Sequence, residues 1–211
     1  MPKASATVAE ARTPRHSPFD GHVSRQWPSV DGTIGVRLAA GTVTGAALIS
    51  TWPAGAAALA DALAAGIGAA PLRCGDTQAV AAGLLIRTGP EEYLLISATD
   101  AAMTETLRRS IDAQTGSVAD LAHARCRIGI EGDRCREALA KLFALDLGES
   151  SFAPGQARLT GHHHVPCLLH RLATDRFDIY ITSSYAGDQL ATLSDAALEY
   201  GVALRLDQSL P

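Results

Sequence analysis

A chain of 211 residues with 47% hydrophobic content is long enough to bury a substantial core, either as one large domain or as two fused halves. Eighteen basic against 22 acidic residues give a net charge of -4, so there is no electrostatic basis for expecting nucleic acid, and no apolar run reaches the roughly eighteen residues of a membrane span. The N-terminus lacks an apolar h-region, and Cys74, Cys126, Cys135 and Cys167 lack C-x-x-C spacing, so the expectation is a cytoplasmic protein with reduced, mostly buried thiols and no partner membrane.

Residues 1–31 carry Pro2, Pro14, Pro18 and Pro28 with no sustained hydrophobic period, and read as an irregular arm. Phe19 and Trp27 are the aromatics by which such an arm would anchor on a partner, because large rings bury much area at little rotamer cost. Residues 32–116 form the first α+β half. Short strands are expected at 33–38 and 44–50, and Pro53 then suits a first helical position. Ala56, Leu59, Ala60, Leu63 and Ile67 make one apolar stripe that ends at Gly66 and Gly68. Runs 83–88 and 91–97, joined at Gly89-Pro90, read as a hairpin. Asp100 is the expected N-cap of a second helix, striped by Met103, Leu107 and Ile111.

Residues 117–211 form the second half, and residues 120–145 are its organising stretch. Cys126, Ile128 and Ile130 alternate with Arg125, Arg127 and Glu131, the period of a half-buried strand that ends at Gly132. The period then lengthens, with Cys135, Ala138, Leu139, Leu142 and Phe143 on one helical face and Glu137 four residues before Lys141 on the other. Strands follow at 156–160, 165–172 and 176–182, then a helix over 184–200 closed by Gly201. Strand, helix, hairpin, helix therefore occurs twice, roughly 80 to 90 positions apart, which indicates duplication of a supersecondary unit. The fold class expected is α+β, two fused ferredoxin-like (split βαβ) halves with antiparallel or mixed sheets.

The chemistry-bearing motifs are sparse. Gly161-His162-His163-His164-Val165 is the most conspicuous polar cluster; on an extended segment His162 and His164 share a face, and a metal would need a third ligand such as His170. A polar turn is the simpler reading of the same residues, so no metal is assigned. Gly66-Ile67-Gly68 closes a helix instead of opening one, and the chain has neither a G-x-x-x-x-G-K-[ST] loop nor a G-x-S-x-G elbow. Asp120, His123 and Arg125 make the best polar trio, able to meet a partner or to form an internal ion pair. No catalytic and no cofactor-binding residue is assigned.

Several stretches together resemble a known family: Asp120-Leu-Ala-His-Ala-Arg125, the Ile128-Gly-Ile-Glu-Gly132 strand end, the helix tail from Leu139 to Asp146, and the Phe152-Ala-Pro-Gly155 turn. With Gly89-Pro-Glu-Glu-Tyr-Leu-Leu95 and Ser17-Pro18-Phe19, they resemble the gamma subunits of heterotetrameric sarcosine oxidases. That family is related to the folate-binding T-protein of the glycine cleavage system, so the resemblance implies a T-protein-like fold. It also implies alpha, beta and delta subunits as partners, in a complex that oxidatively demethylates sarcosine to glycine with tetrahydrofolate and oxygen. The resemblance places the FAD, FMN, NAD and tetrahydrofolate on the larger subunits, with none held by this chain. Enzymatic T-proteins carry acidic residues on the strand after a Gly-rich turn in this region, whereas here the segment from Gly161 to His170 has no Asp or Glu. The reading is a non-catalytic structural gamma subunit; the alternative is an independent folate-binding aminomethyltransferase-like protein.

Overall fold

Trp52 to Ala69 shows how local sequence sets an element of this fold. Pro53 opens a 3-10 turn that runs directly into helix α1 (Ala56–Ile67), whose Leu59, Leu63 and Ile67 are buried. Gly68, at φ 72°, then ends it by returning its N–H to the Ala64 carbonyl, while the Ala69 N–H returns to Leu63. The computed structural model describes residues 16–81, 83–97 and 102–210. The elements before α1 are β1 (Arg25–Trp27), β2 (Val36–Val43) and β3 (Gly45–Thr51). After it come β4 (Thr77–Val80), β5 (Gly83–Gly89), β6 (Glu92–Ser97), α2 (Ala102–Ser110) and β7 (Gly116–Asp120). The remainder is β8 (Arg125–Glu131), α3 (Cys135–Ala140), β9 (Gln156–His162), β10 (Val165–Ala173), β11 (Arg176–Thr182), α4 (Ala186–Ala197) and β12 (Val202–Leu210).

Two sheets result. The smaller has the order β4-β5-β6-β3-β7 and is antiparallel throughout. Its β3, β5, β6 and β7, with α1 and α2, form a split βαβ unit, because the β5–β6 hairpin returns its second strand beside β3. The larger has the order β1-β12-β2-β8-β11-β10-β9, with β12 and β2 its parallel pair. Within it β8, β10, β11 and β12, with α3 and α4, repeat the same unit. Matching strands begin at Gly45 and Arg125, Gly83 and Val165, Glu92 and Arg176, and Gly116 and Val202, so the two units lie 80 to 86 positions apart. The α+β class and the duplicated split βαβ halves are as the sequence indicated.

The sheets do not divide where the sequence does. β2 belongs to the larger sheet, where it inserts between β12 and β8, and the chain bends at Thr44 to enter the smaller sheet as β3. β7, which runs from Gly116 across the boundary expected after residue 116, is an edge strand of the smaller sheet. Nor is the stretch before residue 32 wholly irregular, since Arg25–Trp27 pairs with β12. A three-residue strand shows no period, so only the presence of β12 reveals it.

Each sheet buries one face under its own helices. Val36, Leu38, Cys126, Ile128, Ile130, Phe177, Ile179 and Ile181 pack on Leu139, Leu190 and Leu193; Ile49, Leu85 and Leu95 pack on Leu59, Leu63 and Leu107. The opposite faces meet each other through Val43, Ile86, Leu94, Ile96, Leu168 and Tyr180. Strand alternation makes this possible, because successive residues of β5, β6, β10 and β11 serve different cores. Asp100 lies outside the described residues, as does the Met103 side chain. The Glu137–Lys141 pair expected on α3 does not form. The helix ends at Ala140, so Glu137 pairs with Arg134 while Lys141 turns to the Ala196 carbonyl in the last turn of α4 and to Glu199 and the Tyr200 ring just beyond it.

Candidate functional site

The two aromatic anchors attach to this chain itself. Phe19 is buried in the core of the larger sheet, and Trp27 packs on its edge with the Arg25 guanidinium 5.2 Å over the ring. Phe19 is therefore not available to a partner, because the residues around it fold back on α4: the His22 ring lies close above Gly187.

Asp120, His123 and Arg125 occupy the crossover between the sheets and do not converge. The Asp120 carboxylate accepts from the Ala122 N–H at 2.8 Å, shaping the turn; Arg125 donates to Thr182 Oγ1 at 2.8 Å; and His123 is exposed, with its carbonyl accepting from Ser183 Oγ. The trio fixes the path from β7 into β8.

The histidine run is a turn, which corrects the expectation that His162 and His164 share a face. His163 and His164 have φ 46° and 67°, the left-handed pair of a two-residue hairpin that sets His162 opposite Val165. His162 therefore points inward. Its Nδ1–H donates to Gln189 Oε1 at 2.8 Å, its ring lies 5.7 Å from Phe143, and His163 stacks on it at 4.0 Å. His164 is exposed, and His170 lies on the opposite face of β10. No group of three His, Cys, Asp or Glu residues among those described could hold a metal ion. Because a non-glycine residue costs about 1 kcal/mol in this backbone region, His164→Gly is expected to raise the unfolding free energy by about that amount, read by chemical denaturation. No gain would mean that the turn is not left-handed at this position.

Three of the four thiols are buried. Burial, and secondarily the Asp175 carboxylate, push Cys135 up to about 12; burial pushes Cys167 up to about 11, so both stay protonated near neutrality.

A buried polar cluster occupies the inter-sheet side of the larger sheet. Arg127 and Asp178 lie 3.4 Å apart, 15% and 7% exposed, with Tyr180 OH 3.5 Å from the same carboxylate. Burial raises the Asp178 pKa, with Arg127 opposing, and raises that of Tyr180 further. His170 stands across the strand pair from Asp178. The Thr77 hydroxyl spends its proton on the Gly155 carbonyl at 2.7 Å, so His170 Nε2 donates to Thr77 at a long 3.4 Å and Nδ1 is left without a donor. Burial, and then the nearby Arg127 charge, hold His170 down at about 4.

From this cluster a groove of about 770 Å³ runs across the strands toward β1. Its rungs follow from register. One reads Arg176, Glu131, Arg37, Ala203 and Gln26 across β11, β8, β2, β12 and β1. The next reads Asp178, Gly129, Ala39 and Arg205. Sequence reading placed Arg127 and Glu131 on the polar side of their strand, which is correct, but it missed the groove. Arg37 and Arg205 join them only because β2 is inserted and β12 is parallel to it, and no local pattern encodes strand order.

No protein-family model matches the chain. The chain is 29% identical over 150 residues to the sarcosine oxidase subunit gamma of Corynebacterium sp. strain U-96, covering 71% of this chain and 72% of that protein. It is 27% identical over 201 residues to the subunit gamma of Corynebacterium sp. strain P-1, covering 93% and 97%. Among solved structures it is similar to a chain of the heterotetrameric sarcosine oxidase from Corynebacterium sp. U-96, with TM-score 0.70, 27% identity, and coverage of 78% of this chain and 85% of that one. The glycine cleavage system aminomethyltransferase T from Bartonella henselae shares the fold at TM-score 0.59 and 14% identity, with 82% of this chain covering 48% of that protein.

Proposed function

This chain is a homologue of the sarcosine oxidase gamma subunits, and we propose that it is the non-catalytic, assembly-stabilising subunit of a heterotetrameric sarcosine oxidase. The observation that carries the proposal is the match in sequence and fold to that enzyme over most of both chains. In the assembly we infer, alpha, beta and delta subunits are the partners, the compartment is the cytoplasm, and sarcosine is oxidatively demethylated to glycine. The larger subunits hold the FAD, FMN, NAD and tetrahydrofolate.

The chemistry of the described side chains supports a structural role. Asp120, Arg125 and His162 are occupied by turns and packing, two buried thiols are held protonated, and Asp178 is locked against Arg127. A general base needs an accessible lone pair and a pKa near the working pH. His170 meets neither demand, being 5% exposed and held at about 4. Among the described residues no helix is long and apolar enough to cross a membrane.

Co-expression with the flavoprotein subunits is expected to give one co-purifying complex that contains this chain; a stable monomer that never joins the flavoprotein would overturn the assignment. Calorimetry of the isolated chain with tetrahydrofolate separates this reading from an independent transferase, which would bind it stoichiometrically.

A further inference from the structure

We propose that the groove across the larger sheet is the docking site for an extended acidic segment of a partner polypeptide. The floor is small: Gly129, Ala39 and Ala203 occupy adjacent strands, so a backbone can lie close to the sheet. Arg37 and Arg176 flank the floor on one side, Arg127 and Arg205 on the other. With neighbouring strands about 4.8 Å apart, five strands span roughly 19 Å, the length of five to six extended residues. Such a segment puts alternate carboxylates toward the two lines of guanidinium groups.

Charge favours an anionic occupant although the whole chain carries -4. Arg37 is exposed and makes no hydrogen bond or ion pair among the described residues. Arg176 holds the exposed Glu131 at 3.7 Å and Arg205, itself exposed, holds the half-buried Asp207 at 2.8 Å, contacts at the sheet surface that an incoming carboxylate can exchange. The buried Arg127–Asp178 pair, with His170 Nδ1 lacking a donor beside it, closes one end of the groove. Arg25 borders the other end through β1, its guanidinium turned away onto Trp27. The groove crosses five strands, a length that suits a chain segment better than a small anion.

The identity of the partner rests on the subunit reading above, so the test keeps the two separable. The full chain is co-expressed with the flavoprotein subunits as wild type, as Arg37→Lys, and as the Arg37→Glu/Arg205→Glu double variant; both positions are exposed, and thermal melting checks folding. The double variant is expected to lower recovery of the complex about tenfold at 0.15 M salt. Carbodiimide treatment of the Arg37→Lys complex is expected to couple position 37 to an Asp or Glu in an acidic stretch of a partner. Unchanged assembly of the double variant with no such cross-link overturns the docking site and leaves the subunit assignment standing. A wild-type chain that joins no partner overturns both. Inorganic phosphate that stabilises the isolated wild type but not the double variant, with assembly unchanged, reassigns the groove to a small anion and also overturns the proposal.

Discussion

Replacing Arg171 with methionine is expected to cost about 3 to 5 kcal/mol of folding stability, the largest single-residue effect in the molecule. Arg171 is fully buried on the helix-facing side of β10 and makes no ion pair among the described residues. Its guanidinium donates instead to four backbone carbonyls: Leu147 at 3.1 Å, Phe152 at 2.5 Å, Ala173 at 3.2 Å and Thr174 at 2.9 Å. It also lies 5.3 Å from the centre of the Phe177 ring. Two of those carbonyls belong to the irregular segment between α3 and β9, which has no ladder of its own to satisfy them. Methionine fills much of the volume and removes the buried charge, but strands the buried Leu147 and Phe152 carbonyls, while those of exposed Ala173 and Thr174 can turn to water. Lysine keeps the charge and loses the fork, so Arg171→Lys is expected to recover little. Denaturant titration gives the magnitude, and faster cleavage after exposed Glu149 by a Glu-specific protease reports release of the loop. An Arg171→Met protein within about 1 kcal/mol of wild type, with an unchanged cleavage rate, would show that the loop is held by its own packing.

The second large effect is a loss of stability in mild acid traceable to His170. In the folded chain this residue titrates at about 4 against an ordinary 6.5. As pH falls below 6.5 the unfolded chain takes up the proton first, so stability is full above about 6.5, declines down to about 4, and levels off below. That interval is worth roughly 3 kcal/mol. His170→Leu is expected to remain within about 1 kcal/mol of wild type at pH 7.5, since the imidazole makes one long hydrogen bond and leaves Nδ1 without a donor. Between pH 6.5 and 4 the variant should lose about 3 kcal/mol less than wild type, measured by urea titration at stepped pH. Parallel pH profiles for the two proteins would sink this account.

Much of the local structure was legible. The alternation at Cys126, Ile128 and Ile130 gave β8 and its buried side, and Leu59, Leu63 and Ile67 gave the buried stripe of α1. The internal duplication was visible because both copies kept the same order of periods. The short edge strands β1, β4 and β7 were not legible, because three to five residues carry too little pattern to distinguish a strand from a turn. β12 was missed as well. Of the residues singled out from sequence, Phe19, Asp120, Arg125 and His162 are taken up by the fold in turns and packing, while His123 and His164 stay exposed. Even the stretches that carry the family resemblance hold the scaffold, since Leu139–Asp146 and Phe152–Gly155 bracket the loop that Arg171 pins.

The amino-acid sequence by itself determined which residues form each repeated unit and which side of each long strand is apolar, because these follow from spacing along one chain. Only the tertiary structure decided that β2 leaves its own segment to sit between β12 and β8. With that insertion came the alignment of Arg37 and Arg205 with Arg127 and Arg176 along one groove. Strand order depends on which hydrophobic faces can be covered at once by chain segments far apart in sequence, and no single stretch carries that information.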